Sequence, residues 1–87
     1  MIYLILYGNK MEDIMSNINS IVDLGTVVKT KRKNMKLTQA SLAALCNVGT
    51  RFISELENGK TTLEISKVFK VIQGLGFIIK IEERRIR

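Results

Sequence analysis

Between Thr50 and Asn58 the chain reads TRFISELEN. Placed on a helix at about 100° per residue, Arg51, Ser54, Glu55 and Asn58 recur at i, i+3, i+4 and i+7 and share one face, with Thr50 beside them at the first turn. Phe52, Ile53 and Leu56 occupy the opposite third of the circle and form a face for burial. The polar face is an array of hydrogen-bond donors and acceptors that includes a guanidinium and a carboxylate, so its chemistry is recognition. An ordinary solvated helix face is the competing reading. Three features argue against it: a short turn connects this helix to the one before, the array both donates and accepts, and a basic run of Lys29, Lys31, Arg32 and Lys33 lies upstream.

Other chemistries lack residues to carry them. The chain has no His and a single cysteine, Cys46, which excludes a Cys/His metal site and an intramolecular disulfide. No carboxylate pair falls in an apolar pocket pattern, so no acid/base couple is evident. Cys46 reads as a small core residue. No enzymatic activity, cofactor or metal is expected, and the lone thiol fits a reducing, cytoplasmic setting. A formal charge of +6 favours a polyanion, either nucleic acid or an anionic membrane surface. The opening MIYLILY lacks a basic n-region and a small-residue cleavage site. It supplies about a third of the roughly 20 apolar residues of a membrane span, so no membrane partner is expected.

Period and punctuation give the elements that must position the array. Asp23 is a candidate N-cap for helix one, whose Leu24, Val27, Val28 and Met35 fall near helical spacing before it ends near Lys36. Thr38 caps helix two, with Leu42, Leu45 and Cys46 at i, i+3 and i+4. Asn47 supplies a left-handed turn, helix three runs from about Thr50 to Asn58, and Gly59 follows as its C′ residue. Leu63, Ile65, Val68, Phe69, Val71, Ile72 and Leu75 predict helix four, ending in the Gly74 to Gly76 region. In FIIKIEE the period changes to two, so Phe77, Ile79 and Ile81 share one face of a strand. That strand needs a neighbour. Residues Ile2 to Tyr7 are one candidate, and the same segment of a second copy is preferred, because twofold symmetry builds an antiparallel ladder from identical strands and buries Phe77, Ile79 and Ile81 against the helices. With only 87 residues, a second copy also helps complete a marginal core.

From Leu24 to Lys60, the residues Arg32, LTQASLA (Leu37 to Ala43), Val48, Ile53 and LENGK (Leu56 to Lys60) resemble the helix-turn-helix domains of the lambdoid phage repressors and the wider XRE-like family. Adding helix four and GFIIKIE makes the resemblance closest to the HipB-type antitoxins. The resemblance implies a mainly α fold: a four-to-five-helix, lambda-repressor-like domain with a C-terminal β-strand pairing across a homodimer. Residues 1–20 then form a peripheral N-terminal segment, an additional strand or a mobile arm, in which Met11 and Met15 are alternative starts. Residues 21–75 form the DNA-binding domain, and residues 76–87 the dimerisation strand and a charged tail, ERRIR. The implied function is that of a repressor and antitoxin that controls its own operon, binds double-stranded DNA at a pseudo-palindromic operator, and binds a HipA-like kinase toxin. A stand-alone phage or restriction-system regulator is the alternative.

The resemblance also implies roles. Gln39, Thr50, Arg51, Ser54 and Glu55 stand at base-reading positions: Arg51 suits guanine O6 and N7, and Glu55 suits cytosine N4 as a discriminator. Asn58 and Lys60 fit phosphate contacts, which orient without reading sequence; Lys29 and Lys33 are weaker phosphate candidates, for which a merely solvated surface charge is the favoured reading. Arg32 and Glu57 are implied to form a structural ion pair between helices one and three. Lys36 stands where the family usually has glycine, Lys31 where it has an apolar residue, and Gly49 where it has a capping side chain. The end of helix one is therefore expected to be looser or more exposed.

Overall fold

A computed structural model of the protein describes residues 2–6, 15–81 and 83. In chain order these form β1 (Ile2–Leu6), β2 (Met15–Ile18), α1 (Ile21–Asn34), α2 (Gln39–Cys46), α3 (Thr50–Glu57), α4 (Ile65–Gly74) and β3 (Phe77–Ile81). Tyr7, Met11 and all of ERRIR except Glu83 lie outside the described residues.

Side-chain capping sets the first helix earlier than the sequence predicts. Ser20, not Asp23, is the N-cap of α1: Ser20 Oγ accepts from Asp23 N at 3.2 Å, and Asp23 Oδ2 accepts from Asn19 N at 2.9 Å. This reciprocal arrangement places Asp23 three residues inside the helix, where a carboxylate also complements the helix dipole. At the other end Lys36 adopts φ 60°, while Lys36 N donates to Lys33 O at 2.9 Å and Leu37 N to Arg32 O at 3.1 Å. The end of α1 is therefore closed by the bond pattern that glycine normally permits, and the expected loosening is replaced by a lysine held in the left-handed region.

The core is built from Val28 of α1, Leu42, Ala43 and Cys46 of α2, Ile53 and Leu56 of α3, Val68, Val71 and Ile72 of α4, and Leu75 and Phe77 beyond it. Leu45 was expected inside, yet it is 57% exposed and Ala43 is buried instead. The wheel explains this: relative to Leu42, Cys46 lies about 40° and Ala43 about 100° to one side, while Leu45 lies about 60° to the other. The small face that results lets α4 approach closely, since a Cβ built on Gly74 would lie 2.5 Å from Cys46 Sγ.

β1, β2 and β3 form an antiparallel sheet in the order β2-β1-β3, with Ile2 opposite both Ile18 and Ile81, and Leu4 opposite Ile79. Within one chain, the neighbour of β3 is therefore the Ile2–Leu6 segment, the candidate ranked second in the sequence. The helix-facing row of β3 is also less covered than expected. Phe77 is buried and Ile79 half-buried, but Ile81 is 74% exposed, because the helices lie against the Phe77 end of the strand. The strand β2 was not predicted, since MSNI has neither alternation nor strand-forming composition. Together with Ile65 and Phe69, exposed on α4, Ile81 borders an apolar groove of about 180 Å³ that Ile18, Leu24 and Ile79 also line.

The strained residue at the end of α1 yields a stability prediction. Lys36→Gly removes a left-handed side chain from an exposed position and is expected to stabilise the fold by about 1 kcal/mol, or roughly 4–8 °C in Tm, measured by thermal unfolding.

Candidate nucleic-acid interface

The site begins with a missing side chain. A Cβ at Gly25 of α1 would collide with the carbonyl oxygen of Leu56 and lie 3.0 Å from that of Glu57, so only glycine allows α1 to pass this close to the end of α3. Two turns along the same face, Arg32 reaches the Glu57 side chain. Its Nε donates to Glu57 Oε2 at 2.6 Å and its Nη2 to Oε1 at 3.0 Å, while Nη1 donates to Leu37 O at 2.9 Å. Gln39, the first residue of α2, adds a bond from Nε2 to Glu57 Oε1 at 3.1 Å. The Glu57 side chain is 2% exposed. Burial by itself would push its carboxyl up, but the bonds from Arg32 and Gln39, with the nearby charges of Arg32 and Lys29, hold it below the usual carboxylate range. The Glu57 bond likewise raises the Arg32 guanidinium above its ordinary value. An unpartnered carboxylate here would be costly, so the bonds lock α1, α2 and α3 into one arrangement.

That lock turns the other side of α3 outward. Thr50 and Arg51 are exposed, and Ser54 and Glu55 are half-buried at the margin. Glu55 Oε2 accepts from Lys60 Nζ at 3.0 Å and from Arg51 Nε at 3.3 Å; the Lys60 bond is the main reason its carboxyl is held below the ordinary range. A spacing of five is not a helical pair, and the backbone turn at the end of α3 brings it about. Gly59 takes φ 76°, Gly59 N donates to Leu56 O at 3.1 Å, and Lys60 N donates to Glu55 O at 3.0 Å, which folds Lys60 back over the last turn. A side chain at Gly59 would be strained and would also press on Val22 Cγ2 at 2.9 Å.

The structure gathers Thr50, Arg51, Ser54, Glu55 and Lys60 on one surface. It treats the other sequence-derived candidates differently. Gln39 is half-buried and held by Glu57, so it belongs to the joint between α2 and α3 as well as to their outer edge. Asn58 turns back to donate to Ser54 O at 2.9 Å. Lys29 and Lys33 are exposed one turn apart on α1. Cys46 is buried, and burial raises its thiol, which keeps it protonated and unreactive. Sequence reasoning missed Gly25 and the Arg51–Glu55–Lys60 cluster. A glycine inside an otherwise helical run was the available sign of the first, and the second depends on a turn that a helical wheel does not represent.

The helix-turn-helix family matches residues 28–78 of the chain. An uncharacterized HTH-type transcriptional regulator, y4mF of Sinorhizobium fredii, is 45% identical over 64 residues, covering 74% of this chain and 84% of the relative. Among solved structures, a chain of a HipB variant bound to an O2 20mer superimposes with a TM-score of 0.72 at 26% identity, over 80% of this chain and 97% of that one. A chain of a HipA-HipB-O2-O3 complex gives a TM-score of 0.73 at 24% identity, over 80% and 99%. The mainly helical fold with its C-terminal strand is thus shared with these proteins.

The buried pair carries its own test. Glu57→Gln leaves Arg32 buried without its counter-charge and is expected to cost about 3–5 kcal/mol in denaturant unfolding near neutral pH. Because the folded carboxyl titrates below the unfolded one, the wild-type contribution is fully present above about pH 4.3 and is lost as pH falls through the depressed folded value. The variant should lack that part of the acid sensitivity, visible as a flatter stability profile below about pH 4.3.

Proposed function

The chain belongs to the helix-turn-helix family of XRE type and is a DNA-binding transcriptional regulator; from that premise we propose that it acts as a dimeric repressor of the HipB kind, an antitoxin that controls its own operon and binds a HipA-like kinase toxin in the cytoplasm. The observation that carries the reading is the outward polar face of α3, with the Arg51 side chain 89% exposed, held in place by a buried ion pair behind it. A helix of this diameter fits the major groove, where each base pair shows its own pattern of donors, acceptors and methyl groups. Arg51 addresses guanine, Thr50, Ser54 and Glu55 adjoin it, and Gln39 sits at the edge beside the first turn of α2. Lys29, Lys33, Asn58 and Lys60 serve the phosphates, and one carboxylate among them favours correct bases over mere charge attraction.

One recognition helix reads only a few base pairs, so two copies are needed to read half-sites about 34 Å apart. Among the described residues β3 is an edge strand, paired on one side by β1 and on the other by no strand, and the apolar groove bordered by Ile65, Phe69 and Ile81 lies under its Ile81 end. Pairing β3 with β3 of a second copy continues the sheet across the twofold axis. Residues 76–87 then serve as the dimerisation segment, with β2 at the opposite rim of the sheet.

The likeness to a chain of the HipA-HipB-O2-O3 complex supports a kinase partner. The second reading is a repressor working without a toxin, which the description of y4mF as a transcriptional regulator also fits. Co-purification of a kinase encoded beside the gene separates the two.

Two substitutions test the DNA and dimer parts. Arg51→Ala is expected to reduce discrimination at one base pair by about 1–3 kcal/mol in competition binding while leaving random-sequence binding much less affected; equal loss on both refutes base reading. Ile81→Glu places a charge on the exposed end of β3 and should leave the helical signal intact while lowering the sedimentation mass from a dimer to the 9.9 kDa chain, with specific DNA affinity falling in parallel.

A further inference from the structure

The carboxylate of Glu55 was read as an acceptor for a base, yet its Oε2 is already where two cations meet, Lys60 Nζ at 3.0 Å and Arg51 Nε at 3.3 Å. The Arg51 contact uses the inner nitrogen of the guanidinium. Its two Nη groups make no hydrogen bond among the described residues, so the end-on fork that matches guanine O6 and N7 stays open. Helix stability does not explain this pair. An arginine four residues before a glutamate is the less favourable order, with the cation in the first turn of α3 and the carboxylate toward its last, both opposed to the helix dipole. The ion pair is also open to solvent, where such pairs contribute little. Lys60, placed by the Gly59 turn, offsets the Glu55 charge that phosphates would otherwise repel.

We propose that Glu55 is a positioning residue for specificity: it fixes the Arg51 guanidinium through Nε, so that the Nη fork is presented to a guanine, with Lys60 as its counter-charge. This rests on the DNA-binding reading above. A flexible arginine must lose its rotamer freedom on binding, and a side chain held beforehand loses less. Glu55 therefore changes the preference at the base pair that Arg51 reads, and not at one of its own.

The test uses the full chain and a pool of duplexes with a randomised central stretch, followed by titration of the selected duplex and its single-base variants. Arg51→Ala identifies the base pair that Arg51 reads. Glu55→Ala is expected to weaken the preference at that same pair by about twofold to fivefold, the part of the Arg51 ordering that a solvent-open ion pair can supply beforehand. Binding to random duplex should stay equal or rise, because a negative charge is removed and Lys60 is released. Glu55→Gln keeps an acceptor for Nε–H and should restore most of the preference. The double variant with Arg51→Ala should lose nothing further at that pair. If Glu55→Ala instead alters a different base pair, additively with Arg51→Ala, then Glu55 reads a base directly and the proposal is overturned. If the wild-type chain selects no sequence at all, the DNA-binding reading itself fails, an outcome distinct from the previous one.

Discussion

A carboxylate with almost no access to water cannot be left alone, and the arrangement of the first three helices follows from satisfying the one on Glu57. Arg32 comes from α1, Gln39 from the start of α2, and Glu57 from the end of α3, so one cluster of charge-assisted bonds fixes three helices at once. Hydrophobic burial brings these helices together but tolerates sliding, whereas a bidentate guanidinium–carboxylate pair specifies register. Gly25 is the precondition, because a methyl group there would lift α1 away and open the pair to solvent.

The two glutamates near the end of α3 show how an eight-residue helix serves two purposes. Glu55 and Glu57 are two residues apart, which places them about 200° from one another. Glu57 faces inward and its bonds are structural. Glu55 faces out, and its two cations, Arg51 and Lys60, lie with the exposed Thr50 on the outward surface of the helix. A rigid back and charged groups held in place at the front are what a surface needs if it is to discriminate between similar partners without unfolding to do so.

Much of this was legible in the residues, for identifiable reasons. The described positive-φ residues Lys36, Asn47, Gly59 and Gly76 each close a helix, and the sequence marked Asn47, Gly59 and the Gly74 to Gly76 region because asparagine and glycine tolerate that conformation. Lys36 gave no such sign by its own type, which disfavours the geometry that the surrounding bonds impose; only its place where the resembling family usually has glycine pointed there. Periodicity found the buried face of α3, where Ile53 and Leu56 are fully covered, but it placed Leu45 inward. A face of alanine and cysteine is shaped by how closely α4 can approach, and hydrophobicity does not encode that. For β3 the period gave the element and its inner row, while its neighbour depended on a contact between chain ends that no local pattern carries. The α3 face showed its composition in the sequence, but which of its charges were already engaged required the turn at Gly59.

The sheet order β2-β1-β3 leaves two rims of unlike character. The β3 rim ends in FIIKI, beside an apolar groove, and β2 is a four-residue rim containing Ser16 and Asn17. In the proposed dimer an isologous junction would consume the first rim in both molecules at a single stroke and leave only the short β2 rims outside. In that proposed dimer, growth would therefore terminate at two molecules: the same stickiness that would feed a filament if it met an unlike surface would be cancelled by meeting itself.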